Sequence, residues 1–138
     1  MIDNFEGRYA FLSNFYPSPM EIDGIIYPTN EHFFQAMKVL TPKERKVIAA
    51  AETPGLAKRL GRQVNLRWDW ESVKDEVMLI GLRYKFSDPE LAEKLLDTED
   101  EELIEGNWWG DTYWGVCNGV GKNKLGKLLM QVREELAD

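Results

Sequence analysis

The sequence predicts an α+β fold, a predominantly helical single domain over residues 1–138 with a few short strands that include an N-terminal hairpin. Three observations predict it. Apolar residues recur at helical spacing through much of the chain. Three helix starts are marked by a Thr or Asp followed directly by Pro. An Asp-Gly pair between two short apolar runs marks a hairpin.

The first half of the chain predicts a hairpin and three short helices. The aromatic opening, 4–19, is expected to be an ordered loop or a short strand. The run MEIDGIIY, 20–27, predicts the hairpin, with Asp23-Gly24 at its turn. Helices are expected from about Asn30 to Leu40, from Thr41-Pro42 onward, and from Thr53-Pro54 to about Gly61. The apolar face of the first helix is predicted to consist of Phe33, Phe34, Met37 and Leu40.

The second half predicts three more helices and one long loop. A long helix is expected from about Trp70 to Phe86, and another begins at Asp88-Pro89. A possible short strand at 102–105 and a glycine- and aromatic-rich loop at 106–122 precede a final helix from about Asn123 to Leu136. The side chains predicted to face inward are Val73, Val77, Ile80 and Tyr84, then Leu91, Leu95 and Leu96, then Leu125, Leu128, Leu129, Val132 and Leu136.

The composition excludes several classes of function. A formal net charge of −7 argues against non-specific nucleic-acid binding, which requires a basic excess. The single cysteine, Cys117, excludes an intramolecular disulfide framework. Because the chain also has a single histidine, His32, we expect no metal site, and we expect no other cofactor. No apolar stretch reaches the length of a membrane span and no signal peptide is visible, so we expect a cytoplasmic protein.

The loop 106–122 is the most unusual segment. It holds three tryptophans and a tyrosine within seven residues, with Asp111 between Trp109 and Trp114. One interpretation is an aromatic minicore that anchors a long connection. The other is a ligand site, because planar rings suit stacking on a base and a carboxylate serves as an acid or base. We favour the ligand site, since long ordered loops are usually functional.

A second candidate is a polar stripe in the first helix. Glu31, Gln35 and Lys38 lie at i, i+4 and i+7, so they share one helix face. They form either the floor of a polar pocket or a solvated stripe. On helical geometry alone, Glu31 is an ordinary N-terminal carboxylate favoured by the helix dipole.

Other residues carry weaker signals. Trp70 either covers the start of the long helix or contributes to a site. The segment from Gly119 to Gly126 joins a glycine-rich loop to a helix start, where free backbone N–H groups suit a phosphate, although a simple helix start explains it nearly as well. His32 is a candidate base, but a histidine in an aromatic helix is more often a packed, hydrogen-bonded group. Cys117 has no evident base beside it.

Five segments together resemble the YbiA-like, or NADAR, family. They are FLSNFY (11–16), PTNEHFFQAMK (28–38), WESVKDEVM (70–78), ELIEGNWWGDTYWG (102–115) and GKNKLGKLLMQVRE (121–134). They occur in the family's order and span nearly the whole chain.

The resemblance implies an N-glycosidase that hydrolyses a ribose C1′–N bond. Some family members cleave ribosylamino-pyrimidine phosphates of the riboflavin pathway, and others remove ADP-ribose from modified guanine bases. The expected partner is therefore a small-molecule ribosyl phosphate or an ADP-ribosylated guanine in nucleic acid. A non-catalytic module that binds ADP-ribose or a nucleotide is the alternative, and a structural protein with an aromatic patch is a third possibility.

By motif, the resemblance implies that the catalytic residues are Glu31, Lys38 and Asp111. Glu31 and Asp111 suit stabilisation of an oxocarbenium-like transition state, activation of water and protonation of the leaving base. Lys38, with a lowered pKa, also permits attack on C1′ and an imine with the ring-opened sugar. The residues expected to bind substrate are Asn14, Phe15, Gln35, Trp70, Trp114, Gly115, Gly121 and Asn123.

Overall fold

Six α-helices and four short strands make up most of the computed structural model, which describes all residues, 1–138. In chain order the elements are a 3-10 helix (Gly7–Leu12), β1 (Met20–Ile22), β2 (Ile25–Tyr27), α1 (Asn30–Ala36), α2 (Pro42–Ala49), α3 (Pro54–Gly61), α4 (Trp70–Lys85), α5 (Pro89–Leu96), β3 (Gly106–Asn107), β4 (Val116–Cys117) and α6 (Lys124–Ala137). The predicted class, α+β and predominantly helical with an N-terminal hairpin, is confirmed. No helix combines the length and the apolar character that a membrane span requires.

The chain divides into two compact units. Residues 14–81 form one, here called the central unit, and residues 1–13 with 82–138 form the other, the terminal unit. The boundary falls within α4. The expectation of one domain over the whole chain therefore stays a prediction.

The central unit begins with the predicted hairpin. β1 and β2 pair antiparallel, with Ile22 opposite Ile25. The turn residues Asp23 and Gly24 both have positive φ, 52° and 79°. An Asp-Gly pair tolerates this conformation, and it matches the twist of the flanking strands.

Threonine caps start the three helices of the central unit. The hydroxyls of Thr29, Thr41 and Thr53 each accept a backbone N–H three residues on. At Thr41 the hydroxyl also donates to the Glu44 carboxylate at 2.8 Å. The predicted helix starts are confirmed, and α1 packs against both α2 and α3.

α1 ends four residues earlier than predicted. The amides of Lys38 and Val39 bond three residues back, to the Gln35 and Ala36 carbonyls, so the α-helical pattern stops there. Pro42 has no N–H to donate to the Lys38 carbonyl, and the Arg67 amide donates to that oxygen at 2.9 Å. The Arg67 guanidinium binds the Met37 carbonyl. Leu40 consequently lies beyond the helix and is 55% exposed, so its predicted place on the apolar face is wrong.

The terminal unit departs further from prediction. The opening segment contains a 3-10 helix. Residues 102–105 form no strand, because only Leu103 makes a bridge, to Ile2. The loop 106–122 contains β3 and β4, which pair parallel. α5, capped by Asp88, packs against α6, which begins one residue later than predicted.

The predicted inward face is wrong at two positions. Tyr84 and Leu96 are exposed. In α4 the predicted Val77 is buried, and the other buried side chains are Trp70, Met78, Leu79, Leu82 and Lys85. A hydrophobic pattern could not have indicated Lys85, because its side chain is charged.

Candidate active site

α1 places a carboxylate inside the central unit. Every residue of α1 is buried, and Glu31 is 7% exposed. Its backbone N–H donates to the Asn14 carbonyl at 3.0 Å, which ties α1 to the segment that precedes the hairpin. A buried carboxylate is costly unless it is hydrogen-bonded, so its partners decide its role.

Gln35 supplies such a partner. Its Nε2 donates to Oε2 of Glu31 at 2.7 Å, one helical turn apart. Gln35 is itself only 4% exposed. The amide therefore fixes the orientation of the carboxylate, which supports the pocket-floor interpretation of this stripe over the solvated one.

Lys38 lies two residues beyond the end of α1, so only Glu31 and Gln35 of the predicted stripe share a helix face. Burial lowers the pKa of its amine, the nearby Glu31 carboxylate opposes that shift, and the positive charges of Arg62 and Lys58 lower the pKa further. The side chain is half-buried, with Nζ 6.0 Å from the ring centroid of Trp70. A lowered pKa makes the neutral, nucleophilic amine more accessible.

Trp70 begins α4 and forms an apolar wall. It is 5% exposed and packs edge-to-face on Phe34, with ring centroids 5.0 Å apart. Arg67 holds the preceding segment through a forked ion pair with Asp69, at 2.6 and 3.1 Å, while its amide binds the Lys38 carbonyl. Sequence reasoning missed Arg67, because an arginine in a loop carries no pattern.

Asn14 and Phe15, both predicted to bind substrate, differ in exposure. Asn14 is 9% exposed, and its Oδ1 accepts from Nδ2 of Asn30 at 2.8 Å. Phe15 is 44% exposed. In this structure Asn14 positions α1.

Asp111 stabilises its own loop in the terminal unit. Its Oδ1 accepts from the backbone N–H groups of Tyr113 and Trp114 at 3.1 and 2.9 Å. The side chain of Asn107 in turn binds both the N–H and the carbonyl of Asp111. These bonds hold the loop in one shape.

The tryptophans of this loop are not equally buried. Trp108 is 83% exposed and Trp109 49%, and the two rings pack edge-to-face. Trp114 is half-buried and packs on Tyr113 with ring centroids 4.9 Å apart. An aromatic minicore therefore describes Trp114 and Tyr113 but not Trp108.

The glycine-rich start of α6 is already satisfied within the protein. The N–H groups of residues 122–125 donate to the carbonyls of Thr112, Gly115, Tyr113 and Trp114. The expected free amides are thus occupied at these four positions, which corrects the phosphate interpretation. The side chain of Asn123 donates to the Leu103 carbonyl and accepts from the Glu105 N–H. Gly121, at φ 153°, leaves no room for a Cβ beside the Gly115 backbone.

His32 is structural. Its Nδ1 lies 2.7 Å from the Thr29 hydroxyl and its Nε2 2.9 Å from the Ala51 carbonyl, and it is 1% exposed.

No three side chains of His, Cys, Asp or Glu lie together as they would to hold a metal ion.

The predicted site residues fall into two groups. The central unit brings together Asn14, Glu31, Gln35, Lys38 and Trp70 through the contacts above. Asp111, Trp114, Gly115, Gly121 and Asn123 belong to the terminal unit. Acid–base or nucleophilic catalysis uses groups of the kind found in the central unit, namely a hydrogen-bonded carboxylate and an amine of lowered pKa, here beside an indole ring.

Comparison with known proteins identifies the family. The NADAR domain model matches residues 3–137, and the chain belongs to this family. N-glycosidase YbiA of Shigella flexneri is 47% identical over 133 residues, covering 94% of this chain and 82% of that protein. The NMR structure of E. coli YbiA, 44% identical, superposes with a TM-score of 0.86 over 99% of this chain and 85% of that one. These names confirm the predicted class of activity, hydrolysis of an N-glycosyl bond.

A third relative has a different name. A riboflavin biosynthesis protein of Vibrio vulnificus is 39% identical over 135 residues, covering 95% of this chain but 36% of that protein.

Proposed function

We propose that the chain hydrolyses the C1′–N bond of a ribosyl phosphate, either an ADP-ribosylated guanine or a ribosylamino-pyrimidine phosphate. The names of the relatives support the N-glycosidase reaction, and the Vibrio relative supports the second substrate class. One observation carries the proposal to particular residues. Gln35 orients the buried Glu31 carboxylate, and the negative charge of that carboxylate raises the pKa of Lys38 against the effect of burial. Lys38 in turn lies beside the ring of Trp70.

Glu31 serves the cleavage step. Breaking the bond places positive charge on C1′ and O4′ of the ribose, and a fixed carboxylate in a water-poor site stabilises that charge. The same carboxylate accepts a proton from the attacking water. Its hydrogen bond from Gln35 sets the direction of the oxygen atoms before substrate arrives.

Lys38 opens a second route. Its neutral amine attacks C1′, the C1′–N bond to the base breaks, and the base leaves with a proton from the amine. The C1′–O4′ bond then opens as the remaining N–H proton moves to O4′, which gives an imine between Lys38 and C1′. Water hydrolyses this imine to release the sugar and return the free amine. Burial, which lowers the pKa of Lys38, favours this route.

The proposal is tested by incubating the protein with each substrate type and detecting the released base by mass spectrometry. The non-catalytic alternative predicts binding without release. Glu31→Gln keeps the shape and the burial but removes the charge, so turnover should fall at least ~100-fold while affinity is retained. Near-normal turnover in a folded Glu31→Gln protein would exclude this role.

Asp111 is the proposed second carboxylate, which protonates the leaving base. Asp111→Asn retains the Oδ1 that accepts from the backbone of Tyr113 and Trp114, so the loop and the melting temperature should be preserved. Turnover should still fall by about 100-fold, because an amide cannot act as a general acid that gives a proton to the leaving base. A fully active Asp111→Asn protein assigns Asp111 to loop structure alone.

A further inference from the structure

Gly61, the last residue of α3, lies against the side-chain amide of Gln35. A Cβ built at this position would overlap Oε1 of Gln35 and lie 2.7 Å from its Cδ. No protein group donates to that Oε1, although it is fully buried. The glycine therefore leaves room for one particular atom of one side chain.

The Glu31 carboxylate explains why the amide keeps this costly orientation. An ionised carboxylate only accepts hydrogen bonds, so Gln35 must direct Nε2 toward Glu31. Oε1 then faces the opposite way, toward Gly61, and receives no hydrogen bond there. Unpaired buried acceptors are rare and call for an explanation, and the bond to Glu31 provides one.

We propose that Gly61 is a positioning residue for Glu31, acting through Gln35. The proposal rests on the proposed function of Glu31. A side chain at position 61 pushes the Gln35 amide along α1, which withdraws Nε2 from the carboxylate. Glu31 then loses its hydrogen bond from Gln35, while its own charge and burial remain.

Backbone conformation does not account for the glycine. The φ of Gly61 lies outside the left-handed range, since it is part of α3. Alanine is the better helix former there, so helix propensity also disfavours glycine. Gly55 in the same helix provides the contrast, because a Cβ at that position would meet only Thr53 Oγ1, at an ordinary 3.9 Å.

The first experiment compares Gly61→Ala with its matched control Gly55→Ala. Gly61→Ala should lower kcat by about 10- to 100-fold, the cost of a catalytic group displaced by about an ångström, and leave KM within about twofold. Gly55→Ala should change neither constant. Wild-type kcat in Gly61→Ala would overturn the proposal.

A double variant separates positioning from packing. In Gln35→Ala/Gly61→Ala the shortened side chain makes room for the new methyl group. Its kcat should equal that of Gln35→Ala alone, since Gly61 acts only through Gln35. A further loss in the double variant would overturn the proposal. If Gly61→Ala does not fold, recovery of folding in the double variant supports it, and an unfolded double variant overturns it.

The side-chain NH₂ signals of Gln35 give a readout without substrate. In ¹⁵N-labelled protein they should shift in Gly61→Ala and in Glu31→Gln, and stay in place in Gly55→Ala. Unmoved signals in Gly61→Ala would overturn the proposed contact. Absence of base release by the wild-type protein defeats the proposed function instead, and the two failures are thereby distinguished.

Discussion

Two lysines of the molecule are withdrawn from water, one in each unit. Lys38 follows α1 and is half-buried, and burial lowers its pKa against the opposing charge of Glu31. Lys85 ends α4 and is 1% exposed, and burial alone lowers its pKa to about 7. Its Nζ donates to the Ser13 carbonyl at 2.8 Å and lies 5.1 Å from the ring centroid of Phe86.

The contrast shows that a lowered pKa does not by itself mark a catalytic amine. Lys85 has the stronger shift, yet a substrate cannot reach a side chain that is almost wholly enclosed. Lys38 has access to solvent, and the ring of Trp70 lies beside it. The Glu31 carboxylate is close enough to raise the pKa of its amine. A nucleophile needs a neutral amine and an open approach together, and only Lys38 has both.

Trapping of the imine tests this contrast directly and has the largest expected effect. Borohydride added during turnover should reduce an imine to a stable sugar–protein adduct, detected by intact mass. Lys38→Ala should abolish the adduct, whereas Lys85→Met, if folded, should retain it. An adduct that persists in Lys38→Ala assigns the nucleophile elsewhere. No adduct with a confirmed substrate favours direct attack by water.

Trp70→Ala removes the wall beside Lys38. A tryptophan that is 5% exposed and packs on Phe34 should cost ~3–5 kcal/mol when truncated. Urea unfolding measures the loss. Trp68→Ala is the matched control two residues away, because Trp68 is 90% exposed and its removal should change stability by less than about 0.5 kcal/mol. Equal losses would contradict the burial described for this segment.

Lys85 should give stability a pH dependence of known sign. Between pH ~7 and ~10.5 the unfolded chain keeps a proton on Lys85 that the folded chain has released, so stability rises with pH by at most ~1.4 kcal/mol per pH unit. Lys85→Met removes this contribution. Subtracting its urea-derived stability from that of the wild type, pH by pH, isolates the slope. Parallel curves would place Lys85 in a more solvated setting.

The local parts of the fold were predictable from sequence. Thr41 and Thr53 followed by proline fixed two helix starts, and Asp23-Gly24 fixed the hairpin turn, because each acts on its immediate neighbours. The end of α1 was not predictable. It depends on Arg67, which lies far along the chain and takes the Lys38 carbonyl.

The candidate site shows the same division. The bond between Glu31 and Gln35 follows from i,i+4 spacing and was foreseeable as a shared face. The proposed role of Gly61 was not foreseeable, because a glycine at the end of a helix is ordinary in any sequence. The occupied amides at the start of α6 were hidden as well, since their acceptors come from the folded path of the preceding loop.

The pairing of β3 with β4 has a consequence for how the aromatic loop can change in evolution or by design. β3 and β4 pair side by side, so the eight residues between them, 108–115, leave and return at one place. The Asn123 side chain binds the backbone of Leu103 and Glu105 beside them. The entropic free-energy cost of closing a loop grows only with the logarithm of its length, so doubling the length of the loop adds about 0.6 kcal/mol. The carbonyls of residues 112–115 bind the amides at the start of α6 and must keep their places. The exposed tip at 108–110 is therefore the part of the loop whose length and aromatic content can be varied while the β3–β4 pair and α6 remain as they are.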